Sequence, residues 1–201
     1  MELVKARAIA EEVKSLLALA CHRIEIVGDI RRQKPQVGHI ELLVIPKPEI
    51  SDGEPIPPQY RDLIDFLSDP MPDASLESLP ADRLEEEIME LMFRGVLGSH
   101  PSKMRNYAYE PKYKLMLLHD PSGIGVHIFS TTPECWPVAL AVRTSGKETN
   151  KRITSAARRK GWRFRVKGDG FDTPDGHITC STEREVFEAV GLPYLPPEQR
   201  E

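Results

Sequence analysis

Apolar residues recur at helical spacing along the first twenty positions. Ile9, Val13, Leu16 and Leu17 fall at i, i+4, i+7 and i+8, which predicts an amphipathic helix over residues 2–20. The period then changes. Residues 24–27 form a short apolar run ending at Gly28, a strand in pattern, and residues 29–33 read as the opening of a short helix with Asp29 as its N-cap. Residues 39–45 (HIELLVI) are β-branched and apolar, a strand that Pro46 stops. Residues 46–58 are a proline-rich loop, and 59–67 and 81–93 have helical pattern. Two further strands are predicted at 112–118 and 126–129, joined by a turn over 120–125. From Pro133 helical periodicity takes over, at roughly 134–142, 147–160 and 183–190. The last of these has a capping box, Thr182 with Glu185, and stops at Gly191 before Pro193. The fold class is therefore α+β: a lobe with a small mixed sheet over residues 1–132, then a small, mostly helical lobe over 133–201.

A chain of 201 residues with 40% hydrophobic content can bury one core, or two small ones packed together. No apolar run approaches the roughly 18 residues that a membrane span needs. The N-terminal segment is charged and has no signal-peptide core. Membrane and secreted classes are thereby excluded, and a cytoplasmic protein is expected. Cys21, Cys135 and Cys180 are odd in number and far apart, which fits reduced thiols rather than a disulfide framework or a zinc site. The net charge of −4 conceals two opposite regions. Residues 143–167 carry ten basic side chains and one acid, Glu148, whereas 46–80 carry eight acids against Lys47 and Arg61. A dense basic stretch on an acidic chain is the footprint of a polyanion partner, and nucleic acid is expected.

Chemistry gathers in the first lobe. On a strand, His39 and Glu41 share one face while Ile40 and Leu42 take the other. Two potential metal ligands thus sit side by side at the start of an apolar strand. Upstream, Gly28 and Asp29 open a helical turn followed by Arg31 and Arg32, where a phosphate can meet backbone N–H groups. His127 interrupts the apolar strand at 126–129. If that strand lies beside 39–45, His127 completes a three-ligand cluster facing Arg32. A single strand histidine is more often a partly buried core residue. The order G-D-x-R-R, then V-G-H-I-E, then V-H-I-F is far more specific than its parts.

Taken together, residues 28–32 (GDIRR), 37–41 (VGHIE) and 126–129 (VHIF) resemble the palm of the family-X, polymerase-beta-like DNA polymerases of the nucleotidyltransferase superfamily. Residues 139–150 (ALAVRTSGKETN) resemble the family's turn and helix with its downstream Asn. The stretch from Val186 and Phe187 through 191–200 is similar to its C-terminal signature. The resemblance implies a nucleotidyltransferase palm over 1–132 and a C-terminal subdomain over 133–201 that contacts nucleotide and DNA. It also implies a short form without the helix-hairpin-helix and lyase domain. The implied activity is addition of nucleotides to a DNA 3′ end by metal-dependent phosphoryl transfer. Carried over by position, His39, Glu41 and His127 are the catalytic metal ligands. Gly28, Asp29 and Arg32 contact the triphosphate, Asn150 contacts the nucleotide, and Lys147, Lys151 and Arg152 contact DNA. The implied partners are DNA, as primer/template or gapped duplex, and a nucleoside triphosphate, with the protein a monomer.

This sequence departs from the family pattern at two of three metal positions, where His replaces Asp. Mg²⁺ prefers oxygen ligands, whereas two His and one carboxylate suit Mn²⁺, Fe²⁺ or Zn²⁺. The expected cofactor is a divalent metal, Mn²⁺ before Mg²⁺. Asp29 stands where the family has a phosphate-binding Ser, and it repels phosphate. Two readings follow: an enzyme using a softer ion, or a catalytically silent DNA- or nucleotide-binding relative on the same fold.

Overall fold

The computed structural model describes residues 1–47, 82–99, 109–110, 113–118 and 123–201. The helix expected at 59–67 and most of the proline-rich loop lie outside the described residues. The first helix, α1 (Leu3–Leu17), buries Ala6, Ala10, Val13 and Leu17, one stripe at i, i+4, i+7 and i+11. A short 3₁₀ turn, Ala18–Ala20, leads into β1 (Cys21–Ile26). Next comes α2 (Gly28–Arg31), a single turn, and then β2 (Ile40–Pro46).

Asp29 does not cap α2. The N-cap is Val27, which has no capping side chain, and Asp29 sits inside the first turn. Its carboxylate is taken instead by the Arg32 guanidinium three positions on. The local chemistry suits a cap, but the arginine three positions on offers the carboxylate an opposite charge and a hydrogen bond together.

The helix expected at 81–93 is α3 (Arg83–Phe93), capped by Asp82, whose Oδ1 accepts from the Glu85 N–H at 2.9 Å. Four strands follow: β3 (Leu97–Ser99), β4 (Tyr109–Glu110), β5 (Tyr113–Leu118) and β6 (Gly125–Ser130). They join one sheet in the order β1-β2-β6-β5-β3, with β4 also on β5. The β2–β6 pair is parallel and the other pairs are antiparallel, which makes the sheet mixed. Ile40, Leu42 and Val44 of β2, with Val126 and Ile128 of β6, pack under α1 and α3. The opposite face of the sheet carries Leu43, Ile45 and Phe129, which pack with Val27 against Trp136.

The second lobe contains α4 (Trp136–Thr144), α5 (Lys147–Arg159) and α6 (Glu183–Glu188). Thr182 accepts from the Glu185 N–H at 3.2 Å, as its box predicts. The Glu185 carboxylate reaches back to the N–H of Ser181 at 2.8 Å, one residue earlier than the motif implies. Three short strands go beyond what the pattern predicts: β7 (Arg163–Phe164), β8 (Gly170–Thr173) and β9 (Gly176–Thr179), an antiparallel sheet. Phe171 stacks on Phe164 with ring centroids 4.8 Å apart, pinning this sheet to a core with Val138, Ile153, Val186 and Phe187. All three cysteines are free thiols. Among the described residues no helix is long and apolar enough to cross a membrane.

Candidate metal and nucleotide site

Strand alternation sets the site. With Ile40 and Leu42 committed to the α1 face, Glu41 must emerge on the opposite face, and His39 just before the strand shares it. On β6, Val126 and Ile128 are likewise committed, so His127 emerges with Glu41. The parallel register pairs Glu41 directly with His127. The three side chains converge, each offering one ligand atom, and those atoms lie within 4.8 Å of one another. The imidazoles of His39 and His127 stack, with centroids 4.2 Å apart and planes 20° from parallel. His39 Nε2 lies 3.4 Å from Glu41 Oε1.

Gly28 makes room for the carboxylate. It has φ +61°, and a Cβ built there would fall 1.6 Å from Glu41 Oε2. Any side chain at 28 would evict Glu41, and any residue but glycine would be strained. The first turn of α2 therefore lies directly under the acid of the cluster. Electrostatics bind the group further. The hydrogen bond to Glu41 raises the pKa of His39 above its ordinary value, overriding partial burial, and the charge of Glu41 and then Asp29 adds to this. Arg32 opposes the rise. As a set the ligands carry one carboxylate charge and two imidazole nitrogens. That set does not fit Mg²⁺, which wants hard oxygen, and does fit Mn²⁺, Zn²⁺ or Fe²⁺.

Arg32 is doubly committed. It pairs with Asp29, and its Nη1 donates to the carbonyl of Thr144 at 2.8 Å, while its buried Nε has no partner among the described residues. Its neighbours in sequence make parallel commitments. Arg31 forms a bidentate bond to Glu183, at 2.7 and 2.9 Å, and also donates to the Thr144 hydroxyl. Gln33 donates to Glu198 at 2.9 Å, and Lys34 pairs with Glu201. Four consecutive residues thus fasten the first lobe to the second. Glu183 also receives Arg200, a fully buried guanidinium that donates from Nε to the Leu195 carbonyl at 2.7 Å. Sequence reasoning missed Arg31, Glu183 and Arg200 as a group; they are remote in sequence, and no local pattern links them.

Asn150 lies in the first two turns of α5. Its Nδ2 donates to the carbonyls of Val142 at 3.0 Å and Ser145 at 3.2 Å, tying the α4–α5 turn, and its buried Oδ1 has no partner among the described residues. That leaves one acceptor unused beside a turn that Arg32 also reaches. Lys147, Lys151 and Arg152 are exposed on the same helix, with Lys151 paired to Glu148 at 2.8 Å.

Comparison with known proteins agrees with this architecture. The family model for the DNA polymerase beta thumb matches residues 139–201. A search of curated protein sequences gave no match. Two crystal structures of polymerase beta from Leishmania infantum superpose over 100% of this chain, each at 16% sequence identity. The ternary P/T complex has a TM-score of 0.68 with 76% of its chain covered, and the ternary gap complex 0.69 with 70%. The fold, a mixed sheet with helices followed by a smaller second lobe, is that of these polymerase beta structures. More specifically, the chain is polymerase-beta-like in its fold, and its residues 139–201 match the polymerase beta thumb model in sequence.

Proposed function

We propose that this chain is a polymerase-beta-like DNA nucleotidyltransferase that adds nucleotides to a DNA 3′ end. Its palm spans 1–132 and its thumb 133–201, and it acts as a cytoplasmic monomer. The observation that carries the reading is the convergence of His39, Glu41 and His127 on one face of the palm sheet, beside the α2 turn. These residues would hold a divalent transition ion, Mn²⁺ before Mg²⁺, which when bound neutralises charge on a triphosphate and activates a primer hydroxyl. Glu41 supplies the negative ligand and lies over Gly28, which leaves the α2 turn open to a phosphate. His39 would ligate as the neutral imidazole, so its pKa, raised by the hydrogen bond to Glu41, sets protonation in competition with a metal ion. Arg32, once released from Asp29, faces the triphosphate, and Asn150 presents its spare Oδ1 to the nucleotide. Lys147, Lys151 and Arg152 meet the DNA backbone.

The Asp29–Arg32 pair favours a second reading. With its phosphate-facing arginine neutralised, the same fold serves as a DNA- or nucleotide-binding relative without transfer. One primer-extension experiment on gapped duplex, run across Mg²⁺, Mn²⁺, Co²⁺ and Zn²⁺, separates the two. Extension with Mn²⁺ and negligible extension with Mg²⁺ is expected, with His39→Asp/His127→Asp shifting the preference towards Mg²⁺. Binding of gapped duplex without extension in any ion leaves the second reading. Absence of both binding and extension overturns the two together.

A further inference from the structure

Ten basic side chains between Arg143 and Lys167 look interchangeable in sequence, but four of them are visibly committed. Arg143 lies over the Phe129 ring, 3.7 Å from its centroid. Lys160 donates to the Ala189 carbonyl at 2.9 Å and sits over Trp162. Arg165 faces Asp169 and Asp172, and Lys151 is paired with Glu148. Arg152 and Arg159 have no hydrogen-bond or ion-pair partner among the described residues, and both line one cavity.

That cavity, about 180 Å³, runs along α5 and is walled by Glu148, Lys151, Arg152, Ser155, Arg159 and Leu192. The helix dictates its form. Positions 148, 152, 155 and 159 recur at i, i+4, i+7 and i+11, one stripe, while Thr149, Ile153, Ala156 and Ala157 are buried on the other side. The Lys151–Glu148 pair is exposed and so holds weakly. Two unpaired guanidinium forks, a hydroxyl and a lysine therefore face one groove floored by an aliphatic side chain. Guanidinium is the side chain best matched to phosphate oxygens.

The spacing says which phosphate ligand fits. Seven residues separate Arg152 from Arg159, a rise of about 10 Å at 1.5 Å per residue. That is more than a lone phosphate spans, whereas successive phosphates along a nucleic-acid strand can cover it. We infer that this groove extends the DNA-contacting face of α5, taking the phosphodiester backbone of a single strand across Arg152, Ser155 and Arg159. It deepens the DNA-binding part of the proposed function and is independent of the metal cluster and of any transfer.

The test is fluorescence anisotropy of labelled single-stranded oligothymidylate, measured in EDTA without nucleotide, so that failure of the metal chemistry cannot reach it. Arg152→Gln/Arg159→Gln should lower affinity at least tenfold at low salt and flatten the log–log salt slope by about 1.4, or 0.7 for each single-strand phosphate that is no longer neutralised. Arg158→Gln/Lys167→Gln removes the same charge outside the groove and should change affinity less than threefold. Equal losses of affinity in the two double variants would overturn the inference, because net charge alone would then account for binding. Competition by inorganic phosphate as effective as oligothymidylate, at equal phosphate concentration, would overturn it too. Far-UV circular dichroism and melting of both variants check that each is folded.

Discussion

Glu183→Gln removes the charge that joins the two lobes. In the native protein its carboxylate accepts a bidentate bond from Arg31 on α2 and a further bond from Arg200. Arg200 is fully buried, packed against the rings of Phe187 and Tyr194, and has no route to water. Taking away the anion leaves that guanidinium uncompensated, a change that costs about 3–5 kcal/mol for a buried pair. Arg31 has 26% of its side chain exposed and can turn outward. Arg31→Gln should therefore cost less, roughly 1.5–3 kcal/mol, the range for a hydrogen bond to a charged group. Against a typical total of about 5–15 kcal/mol, the first change consumes a large share of stability. Urea denaturation at pH 7, followed by far-UV circular dichroism, measures both. Acid supplies the internal check. Burial, the largest influence on Glu183, opposes its ionisation, but the hydrogen bonds and charges of Arg31 and Arg200 prevail and hold its pKa below the ordinary value. A depressed carboxylate stabilises fully above its unfolded pKa, and that contribution is lost as pH falls through the folded one. The gap between native protein and Glu183→Gln should thus close in acid. A cost under about 1 kcal/mol at pH 7, where the range above begins near 3, or a gap unchanged in acid, would refute the reasoning.

Two further outcomes follow from the same structure. Asp29→Ser should free Arg32 and raise nucleoside triphosphate affinity by about tenfold, the worth of one charge-assisted bond, in calorimetric titration without divalent metal; unchanged affinity would show that Asp29 does not restrain Arg32. Cys180 is buried, and burial first, then Glu185 and Asp169, pushes its thiol up to about 11. It should resist alkylation at pH 8 until the thumb unfolds while half-buried Cys135 reacts, as mass spectrometry can follow, and rapid native modification of Cys180 would count against that core.

Legibility in the sequence tracked the strength of local pattern. The side chains of the His39, Glu41 and His127 cluster could be placed on one face because 40, 42, 126 and 128 are strong apolar positions that fix the alternation on either side of them. Whether the two strands were neighbours was beyond pattern; parallel pairing of β2 with β6 joins segments with no local signal between them. The strands at Arg163–Phe164, Gly170–Thr173 and Gly176–Thr179 are invisible to it since two to four residues are too few to show a period, and polar residues intervene. Asp29 misleads because its residue type suits a cap while an arginine three positions on competes for it. The basic stretch is visible as charge, but only side-chain contacts separate Lys160 and Arg165, which hold the thumb together, from Arg152 and Arg159, which face outward.

The parallel register of Glu41 with His127 also bears on how the molecule assembles. The three-residue cluster does not exist in a chain whose β2 and β6 have not met, and bringing remote segments together is the slow part of folding. An ion gripped by all three side chains would bind the finished sheet and ignore the unfinished one. Its contribution would grow with concentration as RT ln(1 + [L]/Kd), independently of what the thumb is doing. Melting curves recorded in Mn²⁺ and in Mg²⁺ would then report on one strand pairing at the centre of the mixed sheet, making the cluster a gauge of the order in which the protein comes apart.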